Sequence, residues 1–311
     1  MSWFTFLPLA VMLALSAVLG RVPVPLHPSW SARLLATTGA MTAVAALGTG
    51  VFVAINYGAT LTPSAAAHVP EWALFGDDRP VPDVVGLPAA LLTAAGLLVA
   101  GRAALRWARE LRAARSRARA PLETEVPIAV AVPGRHGGVL LSRGLLRRLA
   151  SDELHVVFQH ETSHLRHRHH RYLASGALAR ALLPALRPLD RRLRLAVERW
   201  ADEDAAEAVG DRAFVARTIA KVALAHPPAA PGPAAAPGPA AAPGPGPAAA
   251  FAESGVIERV EALLDAPPAK NSVTGPLLFM GNGVVTSTLT AATLQLDHAV
   301  ASGLLALLAL R

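Results

Sequence analysis

Residues 158–171 read FQHETSHLRHRHHR and combine five histidines with one glutamate. Within this stretch His160, Glu161 and His164 form the pattern H-E-x-x-H. Residues i and i+4 of a helix share a face, so both imidazoles can bind one Zn²⁺ while Glu161 approaches a metal-bound water. A five-residue pattern also arises by chance in a histidine-rich chain. A third ligand and a helix that carries the motif are therefore needed.

A candidate third ligand lies downstream, in the segment LAVERWADEDAAEAVGD. Glu198 and Asp202 are again i and i+4 and share one helical face. Glu198 can ligate zinc, and Asp202 can accept a hydrogen bond from a ligand histidine, which fixes the tautomer of that histidine. We expect three further acids of the segment to form a solvated face: Glu203, Asp204 and Glu207.

The alternative third ligand is His170, which stands where the metzincin pattern H-E-x-x-H-x-x-G-x-x-H has its last histidine. His167 occupies the position of the glycine that must bend the helix, and no Met-turn follows. In an unbent helix His170 is nearly three turns from His160. We therefore favour Glu198 and expect His167, His169 and His170 to form a basic helix end, with a second metal or a lipid headgroup as their alternative role.

The motif is predicted to lie on a helix that follows a β-hairpin. Residues 126–132 and 138–142 are rich in β-forming residues, and the PGRHGG between them is typical of a turn. Ser151 or Asp152 can cap the next helix, which runs into the histidine cluster. Beyond it, segment 173–187 is apolar but interrupted by Pro184, and residues 190–226 favour further helix.

The composition indicates a membrane protein. The chain is 53% hydrophobic, its mean hydropathy is +0.40, and it lacks cysteine, which excludes disulfides and thiolate zinc sites. Segments of about 2–20, 34–57 and 84–106 have the ~20 residues that a spanning helix needs. A fourth candidate, 284–310, carries Asp297 and His298, which mark either a polar groove or the boundary of a short span.

Charge predicts how these helices are oriented. Seven arginines and one acid, Glu110, lie between Arg102 and Arg119, whereas loop 58–83 is acidic. The basic run should be cytoplasmic, which leaves both termini outside. Nucleic acid could also bind arginines, but their position after a membrane helix favours lipid headgroups, so we expect no direct nucleic-acid binding. No Lys or Arg precedes Arg21, so we expect the first segment to be an uncleaved helix rather than a signal peptide.

Together these features predict a mainly α membrane protein with four transmembrane helices. A cytoplasmic-facing α+β metalloprotease domain of the zincin type lies between helices three and four. The predicted parts are a membrane region with its basic run (1–120), a zinc metalloprotease core (121–226), a disordered Pro/Ala/Gly linker (227–250), the end of the protease domain (251–283) and a last helix (284–310).

The stretches ELHVVFQHETSHLRHRHH and ERWADEDAAEAVG resemble the membrane-embedded gluzincins. The best likeness is to the BlaR/MecR-type antirepressor metallopeptidases, and a more distant one is to the HtpX and CAAX-prenyl-protease group. The resemblance implies one Zn²⁺ per chain, bound by His160, His164 and Glu198. It further implies that Glu161 is the general base and that Asp202 supports a ligand from the second shell.

The resemblance also implies an activity, the hydrolysis of a cytosolic or membrane-proximal protein substrate such as a transcriptional repressor. The antibiotic-sensing members carry a penicillin-binding domain with an S-x-x-K motif after their last helix. None follows within residues 1–311, so we expect only the protease half of that function. The rival function is a non-catalytic membrane transducer with a structural zinc site, in which Asp202 would be the fourth ligand.

Overall fold

The computed structural model describes residues 6–62, 81–117, 123–134, 137–225, 255–271 and 273–284. The described part is mostly helical, with one two-stranded sheet. Its elements are α1 (Leu7–Leu19), α2 (Pro28–Leu61), α3 (Asp83–Arg117), β1 (Ala129–Val132), β2 (Gly138–Leu141), α4 (Arg143–Arg148), α5 (Ser151–Arg166), α6 (His169–Leu182), a 3₁₀ turn (Pro184–Leu186), α7 (Arg187–Val209), α8 (Arg212–Ala225) and α9 (Val256–Leu264). Residues 274–284 form a further helical segment.

Two of these helices, α2 and α3, are long and apolar enough to cross a membrane. In α3 only 11% of the most apolar stretch is buried, and Leu91 and Leu92 are 63% and 73% exposed. At 1.5 Å per residue, α3 is about 50 Å long, which exceeds the roughly 30 Å of a hydrocarbon core. Its arginine-rich end therefore continues the helix beyond the length that a bilayer requires. Helix α1 has 13 residues, fewer than a span needs.

The main core lies where the first half of α2 meets α1, α6 and α7. Its buried members include Leu35 from α2, Leu173 from α6 and Val197 from α7. Helices α6 and α7 approach closely because Gly176 has no side chain: a Cβ there would lie 2.7 Å from both Asp190 Oδ1 and Leu193 Cδ2. This core fixes α7 relative to α2 and so connects the apolar helices to the helix that carries Glu198.

The predicted hairpin is confirmed. Strands β1 and β2 are antiparallel, with Val130 opposite Leu140. The buried Ser142 ties the hairpin to α4, because its Oγ accepts from the N–H of Leu145 and Ile128 and donates to the Val126 carbonyl. The hairpin and α4 pack on α5 around Leu145, Leu149 and Val157, and this packing places β1 beside the histidine motif.

Two local predictions have different outcomes. The apolar segment 173–187 is interrupted as expected, since α6 ends at Leu182 and a 3₁₀ turn begins at Pro184. The prediction that Ser151 or Asp152 caps α5 is wrong, because the helix already begins at Ser151. Instead the Glu153 side chain accepts a hydrogen bond from the Ala150 N–H at 2.8 Å. This reciprocal half of a capping box satisfies one of the exposed donors at the helix start.

Three predictions fall outside the described residues. The linker 227–250 and nearly all of the segment 284–310 belong to this group, and so do Asp297 and His298. They remain predictions from sequence.

Candidate metal centre

Helix α5 carries His160, Glu161 and His164. The two imidazoles face each other, with 3.1 Å between their Nε2 atoms and 4.8 Å between ring centroids. Nitrogen atoms from two successive turns converge in this way because the residues are four positions apart. The motif is therefore helical, and its two histidines point to one place.

Glu198, in α7, completes a three-residue cluster. One ligand atom from each of His160, His164 and Glu198 lies within 4.8 Å of the other two. The carboxylate oxygens of Glu198 lie 3.5 Å from His160 Nε2 and 3.7 Å from His164 Nε2. Ligands of a tetrahedral Zn²⁺ with bonds of about 2.0 Å stand roughly 3.3 Å apart. The donor set and its spacing thus fit zinc.

The exposure of these groups is uneven. The side chains of His160 and His164 are 13% and 15% exposed, whereas that of Glu198 is 4% exposed. Three protein ligands that leave one open position are the arrangement of catalytic rather than structural zinc sites. Solvent reaches the cluster on the side of the two histidines.

Asp202 lies behind His160, one helical turn beyond Glu198. Its Oδ1 is 2.9 Å from His160 Nδ1. This contact is made by the ring nitrogen that does not face the cluster, while Nε2 of His160 lies toward His164 and Glu198. Asp202 therefore lies next to the predicted ligand His160, and its supporting role remains a prediction.

Arg259, on α9, is a member of the site that sequence reasoning missed. Its Nη1 lies 3.1 Å from Glu198 Oε2, and its Nε and Nη2 each donate to a carboxylate oxygen of Asp202 at 2.7 Å. The Arg259 side chain is 7% exposed. The signal that could have found it is an arginine on the apolar side of a short amphipathic helix, between Val256 and Leu263, where a buried charge requires a partner.

Glu161 lies on the other side of the motif, against the hairpin. Burial raises the pKa of its carboxyl, and the nearby backbone N–H of Ala131 in β1 offsets part of this shift. The N–H of Ala131 therefore points away from β2 and toward α5. The site is thus enclosed by α5, α7, α9 and the outer edge of β1.

Comparison with known proteins gives one finding for this region. Residues 122–190 match the model of peptidase family M48. The matched segment contains the hairpin and the H-E-x-x-H helix, while Glu198 and Arg259 lie beyond it. The match supports a zinc metallopeptidase of the M48 kind, and peptidases of this family are generally zinc-dependent. No curated protein and no solved structure matches the chain.

The charges around the M48-like motif set different proton affinities for its two histidines. Burial opposes protonation of His160, but the contacts with Asp202 and Glu198 outweigh it and raise the pKa to about 10. Burial lowers the pKa of His164 to about 4. Burial acts against the ionised form of Glu198, yet Arg259 and His160 hold the pKa of that carboxyl near 2. The set therefore combines one carboxylate, one neutral imidazole and one protonated imidazole.

The prediction that His167, His169 and His170 form a basic helix end is wrong for His169, whereas His167 does lie at the end of α5 as its C-cap residue. Helix α5 ends at Arg166, and Arg168 adopts the left-handed conformation at φ 55°, ψ 42°. A non-glycine residue there costs on the order of 1 kcal/mol. This break turns His169 back into the core, where it is fully buried. The described metal cluster does not include His170, which is partly buried.

The prediction of a solvated acidic face on α7 is also wrong for two of its three acids. Glu203 is buried and forms an ion pair with Arg212. Asp204 accepts hydrogen bonds from Ser163 Oγ at 2.7 Å and from His167 Nε2 at 2.8 Å. Glu203 and Asp204 make these contacts because α8 and α5 both pack against α7. Glu207 is exposed, as predicted, and pairs with Lys270.

Proposed function

We propose that this chain is a membrane-embedded zinc metalloendopeptidase that hydrolyses peptide bonds of a cytosolic or membrane-proximal protein. The observation that carries the proposal is the cluster of His160, His164 and Glu198 with Glu161 beside it. All but Glu198 lie in the segment that matches peptidase family M48. Three converging ligands and a nearby carboxylate are the parts that zinc-dependent peptide hydrolysis requires.

In this mechanism His160, His164 and Glu198 would hold one Zn²⁺ per chain. When bound, zinc would supply Lewis-acid activation of water and of the scissile carbonyl. Glu161 takes a proton from the attacking water and passes it to the leaving amine. Burial raises the pKa of Glu161, which makes its carboxylate a stronger proton acceptor than an exposed one. Asp202 and Arg259 keep the ligands in place.

The outer edge of β1 is the proposed substrate-binding strand. Ile128 and Val130 face β2, as the 2.9 Å bond from Ser142 N–H to the Ile128 carbonyl shows. Strand alternation then directs the backbone groups of Ala129 and Ala131 outward. An extended substrate segment that pairs with this edge lies beside Glu161, whose carboxylate already contacts Ala131.

The rival function, a transducer with a structural zinc site, needs a fourth protein ligand. From the sequence, Asp202 was the candidate for this fourth ligand. In the structure the oxygens of Asp202 contact Arg259 and the Nδ1 atom of His160, on the far side of the imidazole from the cluster. Asp202 is therefore oriented as a support and not as a ligand, which favours the catalytic function.

The membrane part of the proposal is supported by α2 and α3. A core helix of a soluble protein is mostly buried, whereas α3 exposes its leucines along most of its apolar length. The arginine-rich end of α3 lies on the cytoplasmic side in this proposal, as the positive-inside rule requires. The metal centre comes after the arginine-rich end of α3 in the sequence and would lie on the same side of the membrane. A cytosolic substrate such as a repressor would then reach the centre directly. Both termini then lie outside.

The test is hydrolysis of casein by the purified full chain, with and without a metal chelator. The matched variant is Glu161→Gln, which removes the proton acceptor but no ligand. We expect zinc content and folding to be unchanged and the rate to fall by about 10²–10⁴-fold. Zinc-dependent activity that survives in Glu161→Gln would refute the mechanism. A wild-type chain that binds zinc and cleaves neither casein nor a candidate repressor would favour the transducer.

A further inference from the structure

A second histidine supports the cluster from behind His164. The Nδ1 atom of His169 lies 2.8 Å from the Nδ1 atom of His164, and the two rings meet edge to face at 4.8 Å between centroids. His169 is fully buried. It stands to His164 as Asp202 stands to His160: each contacts the ring nitrogen that faces away from the cluster.

The chemistry of imidazole fixes which nitrogen carries the proton in this pair. A ligating Nε2 must keep its lone pair, so a neutral His164 carries its hydrogen on Nδ1. That N–H then donates to Nδ1 of His169, which in turn carries its own hydrogen on Nε2. The reverse tautomer would leave a hydrogen on His164 Nε2 and block ligation.

A cost accompanies this arrangement. Nε2 of His169 is buried and has no hydrogen-bond partner among the described residues. An unpaired buried donor is unfavourable and calls for an explanation. Apolar residues would fill the same space without that cost. His169 supplies a hydrogen-bond acceptor for His164, which an apolar residue cannot do.

Two aromatic rings pack against the imidazole of His169. The Trp200 ring packs against it at 4.7 Å between centroids, and the Tyr172 ring lies 6.3 Å away. The left-handed Arg168 supplies the backbone turn that brings His169 back beneath His164. Strained backbone at a position that aims a side chain into a site indicates a functional requirement.

We infer that His169 is a positioning residue for the metal centre: it accepts the Nδ1 hydrogen of His164 and thereby keeps His164 Nε2 free to bind zinc. The inference rests on the proposed function, since it concerns the same ligand set. Partners of this kind typically change metal affinity by about 10–100-fold when they are removed.

The test measures zinc affinity of the full chain by competition with a chromophoric chelator, after metal removal. Three substitutions at His169 separate its roles. His169→Asn places an amide oxygen near the position of Nδ1 and keeps the acceptor. His169→Gln carries its amide further out, near the position of Nε2, and His169→Leu fills the space with no acceptor. The matched control is His170→Gln, one residue away and outside the cluster.

We expect His169→Leu and His169→Gln to weaken zinc binding by about 10–100-fold. His169→Asn and His170→Gln should stay within about 3-fold of the wild type, because each leaves His164 an acceptor. If His169→Leu does not fold, the comparison of Asn with Gln decides the matter. Equal affinity in the Asn and Gln variants would overturn the inference, since it would mean that His169 only packs. A wild-type chain that binds no zinc would instead refute the proposed function.

Discussion

The guanidinium of Arg259 lies 3.1 Å from the carboxylate of Glu198. This pair joins α9 to α7, although the two residues are separated in the chain by the segment 227–250. The same guanidinium binds both oxygens of Asp202. One arginine thus neutralises two buried carboxylates and fixes their positions relative to the histidines.

We predict that Arg259→Leu destabilises the protein by on the order of 3–5 kcal/mol, because it leaves two carboxylates buried without a countercharge. Arg259→Lys should recover only part of the loss, since an ammonium cannot bridge Asp202 and Glu198 with a planar fork. The measurement is the free energy of unfolding in urea, on chelator-treated protein so that zinc does not mask the effect.

The control for this prediction is Lys270→Ala. Lys270 forms an ion pair with Glu207, but both side chains are largely exposed. Exposed pairs contribute little to stability. An equal loss of stability in the two variants would show that the burial of Arg259 has no special effect.

The part of the site that sequence predicts is the part that rests on helical periodicity. His160 and His164 are four residues apart, as are Glu198 and Asp202, and on two packed helices such pairs face one another. Arg259 could not be predicted in the same way, because nothing local relates α9 to α7. Its place depends on tertiary packing around Leu263 and Val215.

The histidine cluster shows a second limit of sequence reasoning. Residues 167–170 contain no glycine or proline, so periodicity predicts a continuous helix. The chain nevertheless breaks at Arg168 in a conformation that non-glycine residues rarely adopt. Burial of His169 against Trp200 accompanies the break, and only the tertiary structure contains that contact.

We predict that Glu198→Ala strongly reduces the zinc content of the purified protein, whereas His170→Ala leaves it at one zinc per chain. The reason is that Glu198, and not His170, lies with the two motif histidines in the described cluster. Metal analysis of both variants after dialysis measures the difference. The opposite pattern would favour the metzincin arrangement.

We predict that zinc binding to the chelator-treated protein releases about one proton per zinc near neutral pH. The pKa of His160 is raised to about 10, so this ligand is protonated before zinc binds, whereas the pKa of His164 is about 4 and that of Glu198 about 2. Because a proton competes with the metal for His160, affinity should increase about tenfold per unit from about pH 6 to about pH 8. Calorimetry in two buffers of different ionisation enthalpy counts the proton. A pH-independent affinity would contradict the prediction.

We predict that the arginine-rich end of α3 and the metal centre lie on the cytoplasmic side. Seven arginines lie between Arg102 and Arg119, and the opposite loop is acidic. Because α3 extends to Arg117 as one helix, its basic end emerges on the side where the positive-inside rule places it. Reporter fusions in loop 58–83 and near residue 120 should report opposite sides, with the second one cytoplasmic. Replacing the arginines of 102–119 with glutamine serves as the control, since it should weaken the orientation preference while leaving the apolar stretch intact. A cytoplasmic signal from loop 58–83 in the wild type would reverse the topology and with it the expected location of the substrate.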